Sequence, residues 1–133
     1  MKYMLGLAAI MSVLILGGQN QKEDEYEFSF RLVSTPGYIE LQSDEGCNWL
    51  TLSFTMWKNG DPVFINENGM LGADPSKLEE YSEQSQFLLK VGRTDGKLLI
   101  TAFKGTHWTE YEDTCDGEYC SIQVNQKTAY PHN

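Results

Sequence analysis

Residues 28–52 of this chain recur without a gap at residues 87–111, at a constant offset of 59. The first copy reads Phe28, Phe30, Arg31, Leu32, Thr35, Gly37, Ile39, Leu41, Gly46, Trp49. The second reads Phe87, Leu89, Lys90, Val91, Thr94, Gly96, Leu98, Ile100, Gly105, Trp108. Five of these pairs are identities, and in the others apolar meets apolar or cation meets cation. A chain that repeats itself in this way uses one supersecondary unit twice. The architecture must therefore accommodate two similar units that bury a common core.

The hydrophobic pattern inside each copy has period 2. Phe28, Phe30 and Leu32 alternate with Ser29 and Arg31, and Ile39 and Leu41 with Glu40 and Gln42. Leu50, Leu52, Phe54 and Met56 alternate with Thr51, Ser53 and Thr55. Such alternation marks half-buried strands. Turn chemistry separates them at Pro36-Gly37, Asp44-Glu45-Gly46, Lys58-Asn59-Gly60-Asp61-Pro62, Asp95-Gly96 and Asp116-Gly117. The pattern predicts strands over 26–33, 37–43, 49–57 and 62–66 in the first copy, and over 86–92, 97–103, 107–113 and 119–124 in the second. Between the copies Asp74 can cap and Pro75 can open one short helix through Ser76 to Glu83. The expected fold is all-β: two repeated four-stranded antiparallel units packed as a sandwich, with a closed eight-stranded barrel as the alternative.

The ends of the chain read differently. Lys2 followed by the 13-residue apolar run Met4 to Leu16 and the small pair Gly17-Gly18 has the form of a signal peptide, residues 1–18. That run is short for a membrane span, which needs about 20 apolar residues, so no transmembrane anchor is expected after cleavage. Gln19 to Glu25 is polar and reads as a flexible segment. Residues 26–127 form a single β domain made of repeats 26–70 and 85–127, followed by a tail at 128–133. The expected location is secreted or periplasmic.

Charge and cysteine usage narrow the chemistry. With 10 basic against 19 acidic side chains and a formal net charge of −9, the chain repels polyanions, which argues against nucleic acid as a partner. A basic partner suits that balance. Cys115 and Cys120 flank Asp116-Gly117-Glu118-Tyr119, a hairpin spacing that brings two cysteines within disulfide range. Cys47 is left over and reads as a small buried residue, because Thr106 stands at its place in the second copy. No cofactor is expected. Asp113, Asp116 and Glu118, or Asn66, Glu67 and Asn68, offer oxygen donors for calcium but lack the spacing of a calcium loop. No Ser-His-Asp or Cys-His arrangement and no glycine-rich phosphate loop is present, so the chain does not read as an enzyme.

The tryptophans divide between core and surface. Trp49 and Trp108 are repeat equivalents after a glycine turn, at Gly46 and Gly105, and read as structural plugs at the ends of the core. Trp57 has no aromatic counterpart and reads as a binding residue. The second copy departs from the first at Glu110, Tyr111 and Glu112, which join Trp57 as binding candidates. Phe28-Ser29-Phe30-Arg31-Leu32, Gly46-Cys47-Asn48-Trp49-Leu50-Thr51-Leu52-Ser53-Phe54 and Ile65-Asn66-Glu67-Asn68-Gly69-Met70 together resemble a pattern recurring in small secreted bacterial β-proteins of unassigned function. That resemblance implies export and an all-β fold, and carries no catalytic residue. The function expected is a monomeric, non-enzymatic binding module for a protein or glycan partner. An inhibitor or immunity-type protein is one form of it, and a barrel carrier of a small apolar ligand is the alternative.

Overall fold

The computed structural model describes residues 25–56, 61–95, 97–114 and 119–132. Among the described residues ten strands form in chain order: β1 (Ser29–Ser34), β2 (Tyr38–Glu45), β3 (Thr51–Thr55), β4 (Val63–Asn66), β5 (Gly69–Gly72), β6 (Leu88–Thr94), β7 (Lys97–Lys104), β8 (Glu110–Asp113), β9 (Cys120–Asn125) and β10 (Ala129–Pro131). A 3₁₀ turn, Pro75–Lys77, leads into the short helix α1 (Leu78–Glu83). Asp74 caps the turn, its carboxylate accepting from the Ser76 amide at 3.0 Å, as the Asp74-Pro75 pair predicts.

Two five-stranded antiparallel sheets pack together as a sandwich, without closing into a barrel. One has the order β10-β9-β1-β2-β3 and the other β8-β7-β6-β4-β5. Four strands per unit were expected, and each repeat in fact supplies five. The strands missed in the sequence are β5 and β10, both short and carrying glycine or proline. The residues assigned to a C-terminal tail thus include the edge strand β10. Its turn is closed by the Asn125 side-chain carbonyl, which accepts from the amides of Lys127 and Thr128 at 2.8 Å each. Pro131 is tolerated there because an edge strand has a side on which no backbone donor is needed.

Neither sheet belongs to one repeat. β1, β2 and β3 of the first copy are completed by the β9–β10 hairpin of the second, while β6, β7 and β8 are completed by the β4–β5 hairpin of the first. The registers match residue for residue: Val63 lies opposite Val91 and Ile122 opposite Leu32, and these pairs map onto each other at the repeat offset. Side-chain bonds repeat in the same way. The Trp49 indole donates to the Asn66 carbonyl at 3.0 Å and the Trp108 indole to the Asn125 carbonyl at 2.9 Å. The carboxylate of Glu67 accepts from the Phe87 amide, and the amide oxygen of its counterpart Gln126 accepts from the Phe28 amide.

A pair of repeat equivalents that touch must straddle the pseudo-twofold axis, and two such pairs locate it. The rings of Phe28 and Phe87 stack with centroids 3.9 Å apart and 15° between planes. Near the opposite ends of the same strands Arg93 donates to the Ser34 hydroxyl at 2.6 Å. The axis therefore runs between β1 and β6, the central strand of each sheet. Around it Phe30, Leu32, Ile39, Leu41, Leu89, Val91, Leu98, Ile100, Ile122 and Val124 are fully buried. Arg93 is buried too, and its guanidinium also donates to the carbonyls of Pro36 and Met56. These bonds satisfy a cation that would otherwise be costly to bury.

The pseudo-symmetry stops at the outer faces. α1 covers the outside of the second sheet, where Phe64, Tyr81 and Leu88 form a small second core with Leu71 and Leu78. The outside of the first sheet carries the polar, unburied Arg31, Glu40, Gln42, Thr51, Ser53, Thr55 and Gln123 around the buried Val33 and the exposed Tyr38.

Candidate binding surfaces

β8 is where the second repeat departs most from the first. Glu110 and Glu112 point outward from it and are exposed, because residues two apart on a strand share a face. With Thr94, Asp95, Lys97 and Leu99 they line a groove of about 360 Å³. Register explains the grouping, since Glu112 lies opposite Leu99 and Glu110 opposite Thr101. Lys97 Nζ approaches Glu112 Oε2 at 3.5 Å with both side chains 54% exposed, a contact that water and salt weaken. The equivalent positions on β3 are Thr51 and Ser53, so one backbone frame carries a neutral face in one repeat and an acidic face in the other.

Tyr111 does not join this groove. It points inward, half-buried against the main core, and its hydroxyl donates to Asp113 Oδ2 at 2.9 Å. Burial, reinforced by that bond and by the Asp113 charge, pushes its phenol up to about 12. Grouping Tyr111 with Glu110 and Glu112 is thus corrected by the pleat, which sends neighbouring side chains to opposite faces. Trp57 lies outside the described residues, as does Cys115.

The glycine and tryptophan pairs sit at the β2–β3 and β7–β8 connections. Gly46 and Gly105 have φ of 79° and 85°, and their turns press on the backbone just before β1 and β6. Trp49 is 8% exposed and Trp108 half-buried. Each follows its glycine turn, and its indole reaches a carbonyl in the opposite sheet. Leu50, expected to face inward with Leu52 and Phe54, is instead 85% exposed. It precedes the first residue of β3 and so escapes the alternation.

Cys47 is a free thiol, half-buried, and burial pushes it up to about 11. A thiol so poorly ionised is a weak nucleophile. The oxygen donors at Asn66 to Asn68 serve the fold. Asn66 Oδ1 accepts from the Asn68 and Gly69 amides, and Glu67 accepts from the Gln86 and Phe87 amides. Asp116 and Glu118 lie outside the described residues. Among the described residues no group of three His, Cys, Asp or Glu side chains is placed to hold a metal ion, and no helix is long and apolar enough to cross a membrane.

A second groove was not foreseen. It holds about 420 Å³ at the end of the molecule near the β7–β8 turn, lined by Glu25, Tyr26, Gln86, Lys104, Gly105, Thr106 and His107. His107 Nε2 lies 3.0 Å from Glu25 Oε1, across 82 residues of sequence. Its mark in the sequence is the exchange of Asn48 for His107 between repeats. Comparison of the chain with protein-family models, with curated proteins and with solved structures gives no match.

Proposed function

We propose that the protein is an exported, non-enzymatic binding module that receives a basic protein partner on the acidic groove of β7 and β8. The observation that carries this reading is the divergence at Glu110 and Glu112. Two repeats that keep the same registers, turns and indole bonds differ in charge at this outward face, where folding makes no demand for it. Asp95 and Lys97 frame the groove and Leu99 gives it an apolar floor, a combination of steering charge and contact area that suits a cationic surface. The stacked rings of Phe28 and Phe87 fill the middle of the sandwich, which favours a surface binder over a carrier with an apolar lumen. Export rests on residues 1–18 of the sequence. The Cys115–Cys120 bond belongs to the same reading, supported by Cys47 being the free thiol and by the Cys120 sulfur being already engaged.

Titration of isotope-labelled protein with a lysine-rich peptide at low salt tests the proposal. Saturable amide shifts are expected around Leu99, Glu110 and Glu112, and they should vanish in Glu110→Gln/Glu112→Gln. Shifts of equal size in that variant would overturn the assignment. A response to neutral oligosaccharides alone, on the β10-β9-β1-β2-β3 face, would replace the basic partner by a glycan.

A further inference from the structure

Each sheet ends on two edge strands, and an edge strand leaves backbone N–H and C=O groups open to pairing with another chain. Among the described residues these are β10 and β3 in one sheet and β8 and β5 in the other. Three of them are blunted. β10 is three residues long and carries Pro131, and β5 is four residues long and runs from Gly69 to Gly72. β8 turns Glu110 and Glu112 outward. β3 has none of these devices. It reads Thr51-Leu52-Ser53-Phe54-Thr55, without charge, proline or glycine, and with threonine and phenylalanine, which favour strands. Thr51, Ser53 and Thr55 are exposed, and Leu50 beside them is 85% exposed.

The phase of the ladder shows which backbone groups are open. The Ser43 amide donates to the Leu50 carbonyl at 2.9 Å and the Met56 amide to the Gly37 carbonyl at 3.1 Å. Leu52 lies opposite Leu41 and Phe54 opposite Ile39, so the even-numbered residues bond to β2, and Thr51, Ser53 and Thr55 aim their N–H and C=O groups away from the sheet. In β8 the same phase, set by the Ala102 amide on the Thr109 carbonyl, puts Glu110 and Glu112 at the open positions. They stand where the first repeat has Thr51 and Ser53.

We infer that the open edge of β3 pairs with β3 of a second copy of this chain, antiparallel about Ser53, and joins the β10-β9-β1-β2-β3 sheets of both copies into one. The segment suits a twofold contact, because it presents the same kinds of residue in either direction: hydroxyl, apolar, hydroxyl, apolar, hydroxyl. Such a contact requires self-complementarity. Ser53 meets its own equivalent and Thr51 meets Thr55, each pair exchanging two backbone hydrogen bonds. Leu52 lies opposite Phe54 of the second copy in the closer, non-bonded pairing, on the half-buried side of both sheets. Charge allows the approach here and opposes it on β8. The carboxylate in register with Ser53 is that of Glu40 on β2. Two such residues end up three strand spacings apart, about 14 Å between backbones, which exceeds the screening length of about 8 Å at physiological ionic strength. Pairing β8 with itself about Tyr111 would instead set Glu110 directly against Glu112. The net charge of −9 on each chain still opposes association, so the dimer is weak and salt strengthens it. The acidic groove of β8 belongs to the other sheet and stays open, so the pairing is independent of what binds there.

Sedimentation equilibrium of the purified chain, with amide exchange read at each concentration, tests the pairing. The average mass should rise from one chain toward two between about 10 μM and about 1 mM, the range of a contact smaller than a standard interface. Exchange at Thr51, Ser53 and Thr55 should slow over the same range. Thr51→Glu/Ser53→Glu copies the β8 edge onto β3 and should fold, because the matching frame of the second repeat already carries Glu110 and Glu112. It should weaken association roughly tenfold, as like charges meet across the axis. Ser53→Glu mixed with Ser53→Lys should associate more tightly than either variant alone, because position 53 meets position 53 in this register. A mass of one chain throughout the range would overturn the inference, and so would association that the double variant leaves unchanged. Exchange that slows at these amides only when a foreign extended peptide is added would replace the second copy by another strand.

Discussion

At the level of single residues, the two glycines that open the tryptophan turns are under a constraint that no side chain can meet. A Cβ on Gly46 would lie 2.3 Å from the Glu27 carbonyl oxygen, and one on Gly105 would lie 2.6 Å from the Gln86 oxygen. Both obstacles are backbone, and both lie beside the phenylalanines that meet on the axis. Gly69 makes a useful contrast, because its φ of 135° also disfavours a side chain while nothing lies within 4 Å of its would-be Cβ. Gly69→Ala should thus carry only the backbone penalty, roughly 1–2 kcal/mol. Gly46→Ala and Gly105→Ala should each cost more, about 3 kcal/mol, because the turn must also retreat from the strand entry. Urea unfolding of the three variants checks this, and equal losses would show that the close approach is easily relaxed.

At the level of elements, the exchanged hairpins are the part of the fold that the sequence conceals. The repeat was legible over residues 28–52, and the same offset also pairs Val63, Ile65, Asn66 and Glu67 with Ile122, Val124, Asn125 and Gln126. Strand alternation within each hairpin is identical whichever sheet the hairpin joins, so periodicity alone cannot say that β4 pairs with β6 rather than with a strand of its own repeat. Gly69-Met70-Leu71-Gly72 and Ala129-Tyr130-Pro131 are too short and too rich in glycine or proline to declare themselves as strands. The candidate groove was half legible: the i, i+2 spacing put Glu110 and Glu112 together, whereas the Glu25–His107 contact depends on tertiary structure. The hairpins also differ in how firmly their turns are tied. Asn66 is 1% exposed, accepts from the amides of Asn68 and Gly69, and donates to Ser85 Oγ at 2.9 Å. Asn125 is half-buried and serves the exposed Lys127 and Thr128 amides. Asn66→Ala should therefore cost about 2–3 kcal/mol and Asn125→Ala about 1 kcal/mol, since water replaces the second set of bonds more readily than the first. Thermal unfolding should rank them in that order, and the reverse ranking would mean that the C-terminal hairpin holds the molecule together.

For the molecule as a whole, the exchange of hairpins means that neither repeat can complete a sheet without the other, so the two halves should unfold together. The stack of Phe28 on Phe87 is the place to test that coupling. The rings are fully buried, come from the two repeats, and sit on the axis, with Phe30 centred 6.0 Å from one and 6.3 Å from the other. Removing either ring deletes contacts for both, and each of Phe28→Ala and Phe87→Ala should cost about 3–5 kcal/mol by the usual scale for buried aromatic truncation. Residues that share one cavity do not contribute independently. Once the first ring is gone the second has already lost its stacking partner and lines a void, so the double variant should be destabilised by less than the sum of the two, with a coupling of about 1–2 kcal/mol. The milder pair Phe28→Leu and Phe87→Leu keeps the protein folded for the same cycle if the alanine variants do not survive. A single cooperative transition in every variant, seen at the same denaturant concentration by tryptophan fluorescence and by far-ultraviolet circular dichroism, is the expected behaviour of interlocked halves. Two separated transitions, with strict additivity of the two substitutions, would instead describe two units that fold apart and merely touch at the axis.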